Sequence, residues 1–471
     1  MIQRRNEMKY ENGTVSGIKI AYIGGGSRGW AWNLMADLAP EKQLSGEVAL
    51  YDIDFERAKI NEKIGNGLSE RKESLGKWKY TAVRTIDEAL SGADFVIASI
   101  LPGTFDDMES DVHAPEKYGI YQSVGDTAGP GGIIRAMRTL PAYEFFANKI
   151  HELCPKAWVI NYTNPMTLCV RILYATFPEI KAFGCCHEVF GTQKLLAEMV
   201  KEYTGCQDVD RADIKTNVLG INHFTWLDKA TWHGQDLMPM YAKFCDKYGK
   251  TGWKSKEPEN WLNRYFLCDH RVKFDLFKRF DLIAAAGDRH LAEFVPHWYL
   301  QNPEMVESWG FALTPVSWRK ENAKNLYQRS LDLESGKEKI EIKPSGEEGV
   351  RQIKALLGLE TLVTNVNLPN KGQMEGIPLN AVVETNAVFR DGELTPVQAG
   401  KLPYPVESLV MRHVYNHETI IEGWKNHDKE HIFRAFRNDP AMKCISEADC
   451  RALFAEMLAN TATLLPDWLK A

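Results

Sequence analysis

The sequence predicts an α/β protein, with a doubly wound parallel sheet over residues 17–190 and an α+β domain over residues 191–471. Three observations predict it. Short β-branched runs alternate with helical spacing through the first half. A glycine-rich turn closes the first of these runs. Beyond about residue 190 the alternation gives way to aromatic-rich segments with long connections. The length of 471 residues exceeds one ordinary core and fits two domains.

The elements follow in order. Residues 1–16 are polar, lack the apolar stretch of a signal peptide, and read as a loose N-terminal tail. Ile18–Ile23 is a buried strand that stops at glycines, and Arg28–Leu38 has helical spacing. Val48–Tyr51, Phe95–Ile100 and Trp158–Ile160 are further strands, with a helix over Pro141–Leu153 before the last. Ala182–Cys185 leads into a helix through Phe190–Tyr203, and Thr216–Leu219 is another strand. Strands separated by helices imply βαβ units and a parallel sheet. The charged stretch Ser335–Lys343 reads as a solvated loop.

Composition narrows the function classes. A net charge of −6 gives no reason to expect a nucleic-acid partner or an anionic membrane surface. No apolar run approaches the roughly 20 residues of a membrane span. Nine Cys at irregular spacing do not resemble a disulfide framework. Reduced thiols and a cytoplasmic location are expected, which leaves a cysteine free to bind metal.

Gly24, Gly26 and Gly29 form a GxGxxG pattern between the first strand and the first helix. Such glycines give a tight turn, close approach to a pyrophosphate, and close helix packing. Ser27 lies in the loop, and the helix N-terminus offers free N–H groups to phosphate. Asp52 follows the next strand, where an acid binds ribose hydroxyls and repels the extra phosphate of NADP. A Rossmann-like, NAD-binding half is therefore expected; a purely structural turn is the alternative.

Three more motifs end strands. Asn161-Tyr162-Thr163-Asn164-Pro165-Met166 sits where the C-terminal sheet edge binds ligands, although both Asn could simply cap a helix. Gly184-Cys185-Cys186-His187-Glu188 and Gly220-Ile221-Asn222-His223-Phe224 offer a thiolate and an imidazole that could share one divalent ion. Each alone is more often structural.

GGGS, SVGDTAGPGG, NYTNPM, GCCHEVFGTQ and GINHFTW, in this order, resemble glycoside hydrolase family 4. PSGEEGV at 344–350, VTNVNLPN at 363–370, VETNAV at 383–388 and GDRHLAEF at 287–294 extend the resemblance, which is greatest to an α-galacturonidase group. It implies NAD, with Asn161 joining the glycine loop at the cofactor, and a divalent metal, typically manganese, on Cys186 and His223. It implies His187 as the acid for the leaving group, Asn164 on the substrate, and Asp126 as an acid tuning the base. Asp288 is the expected base, with a tyrosine as the alternative base and pairing with Arg289 or a helix cap as the structural alternative for Asp288. Arg289, with His113, is a candidate for a uronate carboxylate. The implied chemistry oxidises C3, removes the C2 proton, eliminates the aglycone, adds water and reduces C3 again, so NAD is regenerated. The loop after FVIASI reads LPGTFDDM and lacks the Arg of phosphosugar relatives, so no phosphate pocket is expected. The expected substrate is a small α-linked galacturonide; α-glucosides, α-galactosides and α-glucuronides are alternatives. Relatives imply a homodimer or homotetramer. The rival class is a 2-hydroxyacid dehydrogenase, since malate and lactate dehydrogenases share the N-terminal architecture.

Overall fold

The computed structural model describes residues 8–254 and 264–470. The chain starts as a hairpin: β1 (Lys9–Glu11) pairs antiparallel with β2 (Thr14–Ile23). Asn12 and Gly13 join them at φ 50° and 73°, the left-handed pair that a tight hairpin turn requires. Residues 9–16 are therefore not a loose tail, because this Asn-Gly turn lets their backbone pair with β2.

β3 (Leu44–Tyr51), β4 (Lys77–Val83), β5 (Phe95–Ala98), β6 (Trp158–Asn161) and β7 (Lys181–Gly184) join β2 in a parallel sheet. The order β7-β6-β5-β2-β3-β4 reverses direction between β2 and β5. That reversal opens a crevice at the carboxyl ends of the strands, the place where such sheets bind dinucleotides. Alternation along β2 feeds two cores. Ile20 and Tyr22 pack with Trp32, Met35 and Ile64 on one face. Ala21 and Ile23 pack with Ile134, Met137 and Leu168 on the other. The helix expected from Pro141 is longer, running Gly129–Leu153 with Pro141 inside it. Its glycine-rich first turn packs tightly: a Cβ on Gly132 would lie 2.4 Å from the Thr127 carbonyl carbon.

The second half forms its own antiparallel sheet, with β8 (Ile214–Ile221), β9 (Phe224–Trp232), β10 (Gln235–Asp236) and β11 (Ile283–Ala284). It also returns to the first sheet. After β12 (Leu362–Pro369) and β13 (Met374–Glu375) come β14 (Val382–Arg390) and β15 (Glu393–Pro396). β12 meets β7 at Asn367 and Gly184, and β14 and β15 extend the edge antiparallel. The main sheet thus draws strands from both sides of residue 190. Asn386 on β14 donates to the Thr216 carbonyl at 2.7 Å and ties the two sheets together. Among the described residues, no helix is long and apolar enough to cross a membrane.

Candidate active site

The glycine loop is shaped by sterics at the β2–β5 crevice. Gly24 and Gly25 N–H donate to the Tyr51 carbonyl at 2.9 and 2.8 Å. Gly24 has φ 92°, and a Cβ there would lie 2.0 Å from the Ser99 carbonyl oxygen. Asp52 closes the loop: Oδ2 accepts the Gly26 N–H and Oδ1 the Asp54 N–H, both at 2.9 Å. Ser27 N–H donates back to the Gly24 carbonyl at 2.9 Å. Gly29, at φ 134°, turns the chain into the helix Trp30–Leu38.

Asn161 ends β6 fully buried. Its side-chain Oδ1 accepts from the Tyr143 hydroxyl and the Thr163 N–H, and its Nδ2 donates to the Thr163 carbonyl. This side chain braces the loop from inside, at the end of β6. Asn164 behaves differently. Its Nδ2 donates to Asp126 Oδ2 at 3.2 Å, while its Oδ1 is buried without a partner.

Asp126 belongs to a cluster. One ligand atom each from Asp126, His223 and His290 lie within 4.8 Å of one another. His223 occupies the two-residue turn between β8 and β9 at φ 64°, an uncommon conformation for a residue with a Cβ. Thr127 Oγ1 donates to Asp126 Oδ1 at 2.7 Å and lies 3.0 Å from His223 Nδ1. With the Thr127 proton committed to Asp126, His223 Nδ1 carries the proton of the second bond. His223 Nε2 is then a bare lone pair, the form in which imidazole binds metal. His290 stacks on His223 with ring centroids 3.7 Å apart, and its Nε2 is 3.6 Å from Glu188 Oε1. Glu188 Oε2 accepts the Gly287 N–H at 2.6 Å.

Electrostatics favour a cation here. Burial and the adjacent His290 push His223 down to about 3, so it stays neutral. Burial also lowers His290. Burial would raise Glu188, but His290, His223 and His187 outweigh it and hold it at about 2. Asp126 is likewise held well below the carboxylate range, with burial outweighed by His223, Arg135 and His290. Neutral imidazoles beside ionised carboxylates are a divalent-metal donor set. Asn164 Oδ1, Asn222 Oδ1 and His290 Nδ1, all buried and unpartnered, fit such a ligand.

The two adjacent cysteines part company. Cys185 packs with the core around Ile353, and its thiol donates to Gln352 Oε1 at 3.0 Å. Cys186 is buried outside the Asp126–His223–His290 trio, near Asn222, Glu384 and Glu188. Burial, then Glu384 and Glu188, push its thiol well up. Glu384 was not singled out by the sequence; it accepts from Asn365, Asn367 and Asn222 at 2.7, 3.0 and 3.4 Å. His187 stands at the rim, its side chain 54% exposed and its Nδ1 3.1 Å from Glu347 Oε1, which raises its pKa.

Asp288, the expected base, is not in this cluster. It is fully buried, and its two oxygens accept the N–H groups of Val272 and Lys273 at 3.3 and 3.1 Å. It therefore caps the helix Arg271–Phe280. The same motif reaches the site through His290, two residues on. Arg289 Nη2 donates to the Ser123 carbonyl at 2.8 Å and to Thr314 Oγ1, while its Nε is buried without a partner. His113 has both ring nitrogens engaged, by Glu116 and by the Val316 N–H, and is removed as a uronate ligand.

The chain matches the family description "Family 4 glycosyl hydrolase" over residues 19–202 and its C-terminal domain over residues 218–442. This chain belongs to glycosyl hydrolase family 4. The family 4 enzyme is 62% identical to an alpha-galacturonidase of Thermoanaerobacterium saccharolyticum, over 98% of this chain and 99% of that one. It is 52% identical to an alpha-galacturonidase of Bacillus subtilis, over 94% and 98%. A crystal structure of a Bacillus subtilis protein, 51% identical, superposes with a TM-score of 0.90 over 94% of this chain and all of that one. A 6-phospho-alpha-glucosidase from gut microorganisms, solved with NAD and glucose-6-phosphate, shares the fold (TM-score 0.79, 21% identity, 95% and 99% covered). As a glycoside hydrolase the enzyme is not a 2-hydroxyacid dehydrogenase.

Proposed function

We propose that this enzyme is an NAD- and manganese-dependent α-galacturonidase acting on small α-linked galacturonides in the cytoplasm, as a homodimer or homotetramer. The observation that carries the reading is the Asp126–His223–His290 cluster, with His223 buried and the other two partly exposed, beside a glycine-loop sheet. The alpha-galacturonidases at 62% and 52% identity supply the sugar. When bound, NAD exchanges a hydride with the sugar and the divalent metal acts as a Lewis acid.

The chain's own groups do the rest. His223 Nε2 and Cys186, its thiol deprotonated on binding, would hold the ion, and Asp126 would balance its charge and tune the neighbouring base. The glycine loop and Asp52 hold the dinucleotide. Asn164 Oδ1, unpartnered in the site, orients a sugar hydroxyl. His290, backed by Glu188, takes the C2 proton in place of Asp288. His187, whose pKa the Glu347 contact raises, gives a proton to the departing C1 oxygen. In the loop after β5, Thr104 caps the helix Phe105–His113 and Asp107 accepts the Thr104 N–H in return, and that loop offers no cation to a phosphate.

The test is hydrolysis of nitrophenyl α-galacturonide against the α-galactoside, the α-glucoside and their 6-phosphates. Activity on the galacturonide, lost with chelator and restored by manganese, is expected. A preference for 6-phosphoglycosides overturns the reading, as does stoichiometric NADH accumulation.

A further inference from the structure

Three arginines gather beside Asp126 without an acid of their own. Arg138 gives the contrast: buried on the same helix, it is matched by a two-pronged pair with Asp111. Among the described residues, Arg135 has only its Nε bond to the Asn164 carbonyl, at 3.1 Å. Arg289 is 8% exposed, holds Ser123 and Thr314 through Nη2, and leaves Nε without a partner. Arg319 lies in the first turn of the helix Val316–Glu334, partly buried. Among the described residues, none of these three guanidinium groups lies within ion-pair distance of a carboxylate.

Their placement is specific. Thr314 N–H donates to the Ser123 carbonyl at 3.4 Å, and the Ser123 hydroxyl donates to the Arg289 carbonyl. Val316 N–H donates to His113 Nε2 at 3.2 Å. The segment entering the Arg319 helix and the helix of Arg289 are therefore both strapped to the loop carrying Asp126. The charges act on one another: Arg319 bears on Arg289, and Asp126 and Arg135 bear on Arg319. Against three guanidiniums stand Asp126, which also serves two imidazoles, Glu188, which serves the same imidazoles, and Asp111, already paired with Arg138. Glu293, near Arg289, is pushed up to about 7 by burial and accepts the Val124 and Gly125 N–H groups. Uncompensated cations out of water are unfavourable. A ligand that brings a further anion would satisfy the arrangement. A guanidinium fork matches a planar carboxylate in two bonds.

We propose that Arg319, together with the free Nε edge of Arg289, receives the C6 carboxylate of the substrate and sets the preference for uronides. The inference rests on the galacturonide reading above. A phosphate on C6 would satisfy the same charge, so the experiment separates the two.

Holoenzyme loaded with NAD and manganese is assayed on nitrophenyl α-galacturonide, α-galactoside and α-galactoside 6-phosphate. Wild type, Arg319→Met and Arg319→Lys are compared, and galacturonate and galactose binding is measured by calorimetry. With the fork removed, Arg319→Met lowers galacturonide kcat/KM at least on the order of 10²-fold. Galactoside turnover holds or rises, and galacturonate affinity falls in parallel. Arg319→Lys keeps the charge, loses the fork, and loses roughly tenfold on the galacturonide alone; it carries the test if Arg319→Met does not fold. An unchanged galacturonide-to-galactoside ratio in a folded variant overturns the inference. So does a wild-type preference for the 6-phosphate that Arg319→Met abolishes. A wild type inactive on galacturonide instead overturns the α-galacturonidase reading itself.

Discussion

Replacing Asp288 separates a structural role from a catalytic one. Its carboxylate is fully buried and accepts two N–H groups at the start of the helix Arg271–Phe280. It also lies near Lys273, which is 1% exposed and hydrogen-bonded to Thr192. Losing a helix cap costs about 0.5–2 kcal/mol, and each buried donor left unpaired about 1–3. Asp288→Ala therefore destabilises by about 3–5 kcal/mol. Asp288→Asn keeps one acceptor and costs about half as much. Burial holds the native carboxyl up at about 6, so the amide also removes a charge that the interior resists near neutral pH. Urea unfolding followed by tryptophan fluorescence measures the stability. Exchange of the substrate C2 proton with deuterated solvent measures the chemistry. Folded Asp288→Asn should still exchange that proton. An Asp288→Ala enzyme as stable as wild type, or a stable Asp288→Asn enzyme that no longer exchanges, would refute the capping assignment and return Asp288 to the reaction.

Other changes give distinct outcomes. Cys186→Ser should weaken manganese binding at least tenfold, whereas Cys185→Ser, facing the Gln352 side of the core, should leave it unchanged; equal loss in calorimetric titrations of both rejects the assignment. Gly24→Ala should fail to bind NAD and should unfold at lower denaturant, because its Cβ would meet the Ser99 carbonyl at 2.0 Å; normal NAD affinity would show that the loop is not so confined. Glu293 is raised from 4.5 to about 7, so the folded state holds its proton longer than the unfolded chain. Stability should therefore decline as pH rises from about 5 to 7, by at most about 1.4 kcal/mol per unit, and Glu293→Gln should flatten that slope. Melting temperatures at pH 5 and 7 that move in parallel for both proteins would contradict it. Arg138→Met should destabilise by about 3–5 kcal/mol by leaving Asp111 buried and unpaired, measured by urea unfolding; a loss below about 1 kcal/mol would show that Asp111 finds another partner.

The sequence by itself determined what depends on near neighbours in the chain. Ile18–Ile23 and the first four residues of Phe95–Ile100 had to be buried strands, since apolar runs rich in β-branched residues satisfy both faces of a parallel sheet. The glycines at 24, 26 and 29 marked a tight turn, because such backbone excludes a Cβ. Motifs at strand ends placed Asn164 and His223 at an edge, as strands stop where the sheet meets a ligand. Tertiary structure alone decided which side chain of a motif faces that edge. Within GDRHLAEF, neighbouring residues on a short helix point in different directions, so Asp288 caps one element while His290 joins another. The return of β12 and β14 to the first sheet, across some 180 residues of sequence, left no local signal because antiparallel edge pairing needs no adjacency. Arg319 was equally unreadable: on a polar helix its charge looks like any solvated one, and only its approach to Arg135, Arg289 and Asp126 makes it unusual.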